Sequence, residues 1–393
     1  MTAPFIIRPV QSRSDLKKFI HLPWKIYKND PAWIPPLIQE RKDFLNRKKN
    51  PFFEHADIEL FIAEKDGQVV GRISAQIDHL HNETHKEQTG FFGLFECIHD
   101  PDVSACLLNN AAGWLKSRGM KTIRGPFSFS INEESGLLVN GFEHAPFILT
   151  PHNPPYYAGL LESWGLKKCK DLFCWRYDSA RPVPEMARQI ADETRRDPRL
   201  TIRELDTKNM ERDVRILIDV FNSAWKQNWG FVPLTENEIK KAAKDFQLIL
   251  EPKLALIAEV DGQPAAISLA LPNLHDAIQD LNGRLFPFGL FKLLYRIKRK
   301  KIRSSRLILL GIKKEFRKDV LGAGLSVLLY AEMHRRSQEL KHWGGELSWT
   351  LEDNQKINNG IALMGGEHYK TYRVYEKSLE APDGHAGHGD ECG

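Results

Sequence analysis

The sequence predicts a mixed α/β (α+β) protein of two similar halves, each a twisted, mainly antiparallel sheet flanked by helices. Three observations carry this: an internal repeat at an offset of 195 residues, an Asp-Gly turn between apolar runs in each half, and a strand–glycine–helix stretch in the second half. The chain has 393 residues, which at roughly 100 to 200 residues per domain suits two domains. Hydrophobic residues make up 42% and charged residues 27%, the usual globular mixture, and this excludes general disorder.

The repeat opens with FIIRPVQSRSDL, whose Ile7 and Arg8 fall opposite Ile202 and Arg203 in LTIRELDTKNM. Each reads as a short strand leading into a charged helix. Next, IAEKDGQ (Ile62 to Gln68) matches IAEVDGQ (Ile257 to Gln263) at six of seven positions. Asp-Gly between apolar runs signals a hairpin, because a type I′ turn needs positive φ at both central residues. A looser third pair sets GLLESWGLKKCKDLFCWRY against GIALMGGEHYKTYRVYEK, each a helix, a glycine stop and a strand. Between the halves, RPVPEMARQIADETRRDP is proline-bounded and highly charged, as a surface linker helix would be. The expected organisation is a first domain over 1–180, a linker helix over 181–199, a second domain over 200–379 and a flexible tail over 380–393. The tail carries His385, His388 and Cys392, too sparse a set to predict a metal site.

The second half holds the most informative stretch. Arg306 to Ile312 reads as a buried strand, Lys313 to Gly324 as a basic loop, and Leu325 to Leu340 as a helix with Leu325, Leu328, Leu329 and Met333 on one face. Such an arrangement makes an anion pocket from unpaired backbone N–H groups and the positive end of the helix dipole. Gly322, Ala323 and Gly324 keep the backbone approachable, and Arg317 and Lys318 add charge. A glycine turn opening a packed helix accounts for the same residues without a ligand. Neither a dinucleotide fingerprint nor a Walker loop is present. The following strand alternates, with Glu346, Ser348, Thr350 and Glu352 on one face and Leu347, Trp349 and Leu351 on the other. Asn354 then begins a helix, where it also fits as a cap.

In the first half no basic glycine stretch follows the strand containing Glu96. Instead a long polar segment carries Asn132, Glu133, Glu134, Asn140, His152, Asn153, Tyr156 and Tyr157 among prolines and glycines. Long loops of this kind in compact domains are usually functional or disordered, and the aromatics argue for order.

At these residues the chain resembles the GNAT superfamily of acyl-CoA-dependent N-acyltransferases, in tandem over both halves. The order of hairpin, strand, basic glycine loop, helix, strand, Asn-led helix and aromatic final strand carries the likeness. The polar segment of the first half is also similar to a bacterial group of tandem GNAT-like proteins, to some of which ceramide synthase activity, N-acylation of a sphingoid base, is attributed. The resemblance implies acyl-CoA as co-substrate and no metal, with Gly311, Ile312, Arg317, Lys318, Gly322, Ala323, Gly324 and Asn354 around it. It implies an amine acceptor, small or lipid, held by Glu96, Asn132, Glu133, Asn153, Tyr156 and Tyr157, the first half being degenerate for coenzyme A. Glu346 or Glu352 is the expected base and Tyr372 the expected acid. Two departures stand out: Asp319 occupies the position where the family has Arg or Gln, and Ile361 the position of its usual tyrosine. An aminoacyl-tRNA-dependent peptidoglycan aminoacyltransferase and an inactive lipid- or protein-binding module remain as alternatives.

Residues 283–306, GRLFPFGLFKLLYRIKRKKIRSSR, combine phenylalanines and leucines with a polybasic end. They suit an anionic membrane surface, or a core helix with a solvated cationic end; nucleic acid is not expected, since RNA needs stacking aromatics on an ordered platform. The formal net charge of +5 is too small to imply nucleic acid by itself. Five cysteines without a CxxC pair argue against a disulfide framework or structural zinc. With no leader-like start and no apolar run of 18, the expected location is cytoplasmic, peripheral at the inner face of the membrane.

Overall fold

The computed structural model describes residues 5–317 and 320–380, apart from the side chain of Ser348. Lys318, Asp319 and the tail residues His385, His388 and Cys392 lie outside the described residues. The strands are β1 Phe5–Pro9, β2 Ala56–Lys65, β3 Gln68–Asp78, β4 Thr89–Cys97, β5 Thr122–Gly125, β6 Leu137–Asn140, β7 Lys167–Asp178, β8 Leu200–Glu204, β9 Ala255–Val260, β10 Gln263–Pro272, β11 Ser304–Ile312, β12 Gly344–Leu351 and β13 Glu367–Ser378. Two compact units emerge: one holds the residues up to Leu172 together with those from Thr371 onward, the other Phe173–Lys370.

In the first unit β1 to β5 lie in order, antiparallel up to β4 and then parallel between β4 and β5. The end of β13 completes this sheet, Tyr375–Ser378 pairing with β5 and Thr371–Arg373 with β6. In the second unit β8 to β12 repeat the pattern, antiparallel up to β11 and parallel between β11 and β12. The end of β7 then follows β12. Apart from β6, each described strand of the first unit has its counterpart in the second.

The matched sequence positions have matched physical causes. Asp66 and Gly67 have φ of 51° and 73°, and Asp261 and Gly262 have 50° and 75°, the double positive φ that a type I′ turn demands. Arg8 bridges Asp15 and Glu64 at 2.7 Å each. Arg203 likewise bridges Asp213 at 2.7 Å and Glu259 at 2.8 Å. Each arginine thus ties its strand to the next strand and to the helix that follows.

Helices cover the sheets through apolar faces. In the first unit the helix Pro101–Lys116 starts at Asp100, whose carboxylate accepts from the Asp102 and Val103 amides at 3.1 and 3.3 Å, as an N-cap does. Its Val103, Leu107 and Ala111 pack against Ile73 and Phe92. In the second unit Leu325, Leu329 and Met333 of the helix Val320–Glu339 pack on Ala258, Ala266 and Leu307, while Val220 meets Ile257 and Ile267. Each such large side chain contributes roughly 1.5 to 3 kcal/mol when fully buried. Among the described residues no helix is long and apolar enough to cross a membrane.

The long helix differs from the expectation. It already includes Val320, five residues before Leu325, and neither Gly322 nor Gly324 has positive φ. Both glycines sit inside the helix because neighbours need the space. A Cβ on Gly322 would lie 1.8 Å from the Phe316 carbonyl oxygen, and one on Gly324 2.0 Å from the Thr194 hydroxyl. Thr194 belongs to the helix Glu185–Arg195, inside the charged stretch between the halves, which packs on the long helix through Ala187 and Val327.

An ion cluster fastens the same two helices. Glu332 is buried and receives Arg195 at 2.5 Å, Arg335 at 2.9 Å and Arg336 at 3.2 Å. Burial alone would raise its pKa, but the arginines together outweigh that and hold it at about 2. A depressed carboxylate stabilises the fold above its unfolded pKa and loses that effect as pH falls through its folded one. The second unit is therefore expected to lose stability between about pH 4.5 and 2. Thermal melts at stepped pH check this: Glu332→Gln should flatten the acid limb relative to wild type.

Candidate functional site

The parallel pairs are where each sheet opens. β11 and β12 are in register from Ser304–Leu307 against Gly344–Leu347, although both strands run on, to Ile312 and Leu351. One cause is a bulge: β11 pairs Leu309 with Leu269 but Leu307 with Ala270, so Ile308 is an extra residue, and a bulge bends its strand. Beyond it, Leu309 to Ile312 pair with β10 on one side. Their other edge faces the parting, and among the described residues no strand is paired to it there, which suits an extended, amide-bearing ligand.

At the end of that edge the chain turns through Lys314–Arg317 into the long helix. The first N–H groups of a helix have no acceptor within it, and the described part of this helix opens at Val320. Val320 is 90% exposed and Ala323 is exposed too. The chemistry of this corner suits a diphosphate.

Several expected residues turn out to be committed within the protein. Arg317 donates to the Ile312 and Ala224 carbonyls at 2.7 and 2.9 Å, so its charge braces the turn. Gly311 accommodates the Trp225 ring, which a Cβ would meet at 2.3 Å. Ile312 is buried. Asn354 caps the helix Gln355–Leu363, its side chain accepting from the Ile357 amide at 3.3 Å.

Glu346 is almost fully buried and joined to Arg306 at 3.0 Å, its direct neighbour across the parallel pair. Tyr369 donates to its other oxygen at 2.5 Å. Beside them, burial and then the Glu346 charge push the Cys174 thiol well above its usual pKa. Glu352 comes directly after β12, half-buried at the end where the strands part. Tyr372 does not join this group: it belongs to the first unit, fully buried, its hydroxyl donating to the Pro151 carbonyl at 3.1 Å. Sequence reasoning missed Arg306, although a single charge within SSRLILLGI signals a buried partner.

The first unit has the same parting, and its own chain fills it. β4 and β5 pair from Thr89–Phe91 against Thr122–Arg124. Beyond that point Phe127 donates its amide to the Phe92 carbonyl at 2.9 Å, and a Cβ on Gly93 would lie 1.6 Å from the Phe127 carbonyl oxygen. Tyr157 donates to Glu96 at 2.8 Å and its hydroxyl accepts from the Cys97 amide at 2.9 Å, while Tyr156 donates to the Cys97 carbonyl at 2.8 Å. Tyr27 also donates to Glu96, at 2.9 Å, and Arg72 lies 3.4 Å away. Burial raises the Glu96 pKa against the pull of Arg72.

Of the residues expected to hold an acceptor, Glu96, Tyr156 and Tyr157 therefore come together. Asn153 instead clamps β6, accepting from the Leu138 amide at 2.7 Å and donating to its carbonyl at 3.1 Å. Asn132 and Glu133 shape a turn, their amides bonding to the Ser130 hydroxyl at 3.2 Å and carbonyl at 3.1 Å. Among the described residues no group of three His, Cys, Asp or Glu could hold a metal ion.

Two repeated sheets that each part between parallel strands define the class, a tandem GNAT-fold protein. Its fold is similar to that of a tandem GNAT protein from the clavulanic acid biosynthesis pathway, with a TM-score of 0.57 over 96% of this chain and 100% of that one at 12% identity. No family model matches the sequence. Protein YghO of Escherichia coli strain K12 is 40% identical over 375 residues, 95% of either chain. The protein named bacterial ceramide synthase in Caulobacter vibrioides is 40% identical over 378 residues, 96% of this chain and 98% of that one. The chain belongs to the family of these two bacterial proteins.

Proposed function

We propose that the protein is an acyl-CoA-dependent N-acyltransferase whose donor site lies in the second unit and whose acceptor is a long-chain, sphingoid-type amine. One observation carries the donor site: of two matching strand partings, the first is filled by Phe127, Tyr156 and Tyr157, while among the described residues β11 has no strand on that edge beyond Leu307. The acceptor class rests on 40% identity to a protein named ceramide synthase. Acyl-CoA would supply an activated thioester. Toward it, the β11 edge would orient the pantetheine amides and the amides at the start of the long helix would hold the diphosphate. Amides near Leu310 and Gly311 would face the thioester oxygen.

Glu352 is the carboxylate best placed to take the amine proton, directly or through water, because Glu346 is committed to Arg306 and Tyr369. Long-chain amines partition into bilayers, so the reading sets the work of the enzyme at the inner membrane surface.

The test adds a carboxylate where the diphosphate would sit. Ala323→Glu changes an exposed residue, and an acidic side chain in the first turn of a helix is stabilising by a few tenths of a kcal/mol up to about 1. Isothermal titration with coenzyme A should give binding to wild type and at least roughly tenfold weaker binding to the variant, with a melting temperature no lower than that of wild type. Equal binding by both proteins, or none by wild type, overturns the donor site.

A further inference from the structure

Phe286, Phe288 and Phe291 are 77%, 77% and 71% exposed, and Leu294 and Tyr295 beside them are 41% and 51% exposed. They stand on the helix Gly289–Lys298 and the residues leading into it. The inward side of that helix is already supplied, since Leu293 is buried and Leu290 and Ile297 are half-buried. A second, outward apolar side is therefore surplus to folding. A core helix, the other expectation for this stretch, would not leave five large apolar side chains in water.

The charges within the segment are all of one sign. Residues 283–303 contain eight lysines and arginines and no acidic residue. Nearby acids are taken up: Asp280 pairs with Lys292 and Arg296, and Glu251 with Lys300 at 3.0 Å. Arg284, Lys298, Arg299 and Lys301 remain exposed and have no acidic partner among the described residues. Arg299 and Lys301 flank the Tyr295 ring, at 5.7 and 5.0 Å from its centroid, where an aromatic suits the headgroup level.

We propose that this segment docks the protein on an anionic lipid bilayer, with Phe286, Phe288 and Phe291 entering the acyl boundary and Arg284, Lys298, Arg299 and Lys301 lying among the headgroups. Bulky apolar side chains beside cations without counter-ions fit a surface that is oily beneath and negative above. A nucleic acid would answer the charge and leave the phenylalanines in water. A protein partner would have to match both, and it is kept as an outcome of the test.

The inference rests on the proposed lipid acceptor for its purpose alone. Its assay holds neither acyl-CoA nor amine, so failed docking and failed acyl transfer are read separately. Wild-type protein is sedimented with phosphatidylcholine vesicles and with vesicles containing a quarter phosphatidylglycerol. Partitioning should be at least roughly tenfold stronger on the anionic vesicles, and fall by at least that factor in Phe286→Ser/Phe288→Ser/Phe291→Ser and in Lys298→Gln/Arg299→Gln/Lys301→Gln. All six residues are exposed, so circular dichroism and melting temperature should not change. A fluorophore on Phe288→Cys should shift to the blue on anionic vesicles. Loss of binding in the cationic variant with none in the serine variant refutes insertion, and equal binding to both vesicle types refutes the anionic preference. A serine variant that alters self-association in sedimentation velocity, without altering vesicle binding, reassigns the patch to a protein contact.

Discussion

Arg306→Ala is expected to destabilise the second unit by about 3 to 5 kcal/mol, because it leaves the Glu346 carboxylate buried without its cation. The two side chains are 2% and 0% exposed and lie 3.0 Å apart. Glu346→Ala should cost a similar amount from the other side. Replacing both by apolar residues, as in Arg306→Met with Glu346→Leu, should recover most of the loss, since the unpaired charge rather than the missing attraction is the main penalty. Urea unfolding followed by the tryptophans measures all three. Additive losses in the double variant would mean the pair is not isolated from water. The same double variant separates structure from chemistry: recovered stability with recovered acyl transfer excludes Glu346 as the base, and recovered stability without activity would return it to candidacy ahead of Glu352.

Gly322→Ala should both weaken the fold and impair coenzyme binding. Its Cβ would stand 1.8 Å from the Phe316 carbonyl oxygen and 3.0 Å from the Arg317 Cα, both backbone atoms that no rotamer change can move. The Lys314–Arg317 turn has to retreat, and Arg317 loses its bonds to Ile312 and Ala224. Overpacking of this kind costs typically about 1 to 3 kcal/mol. Affinity for coenzyme A should fall by more than tenfold, since the amides at the helix start shift with the turn. Gly324→Ala is the control, because its clash is with the side-chain oxygen of Thr194. It should loosen the helix Glu185–Arg195 and leave coenzyme affinity within about threefold. If titration calorimetry ranks the two variants equally, the helix start is not where the coenzyme sits.

Much of the fold was readable because its signals are local. A type I′ turn is written in two residues, Asp66-Gly67 and Asp261-Gly262, and the paired Arg8 and Arg203 mark the start of each repeat. Leu325, Leu328, Leu329 and Met333 fall on one helical face and are buried. The glycines misled for a physical reason. Gly322 and Gly324 look like a loop that bends toward a ligand, but their missing side chains make room for Phe316 and Thr194, 6 and 130 residues away. Close approach between distant segments leaves the same letter in the sequence as backbone freedom does.

The candidate site was harder to read. The Glu96, Tyr156 and Tyr157 cluster was named as separate residues, while Tyr27, which completes it, lies 69 residues from Glu96 and carries no local mark. Tyr372 was expected as the acid because Ile361 stands where the family has its tyrosine and Tyr372 follows soon after in sequence. It sits instead in the other unit, because β13 changes units between Lys370 and Thr371. No periodicity reports where a strand passes from one unit to the other.

That change of units has a consequence for biosynthesis. The sheet edge at Thr122–Gly125 acquires its partner from Tyr375–Ser378, some 250 positions later in translation. While the nascent chain emerges, the amino-terminal portion must wait with an unsatisfied strand border, the kind of surface on which polypeptides stick to one another. Separate expression of the two sequence halves would make that exposure permanent, whereas co-expression of both gives the border its missing ribbon.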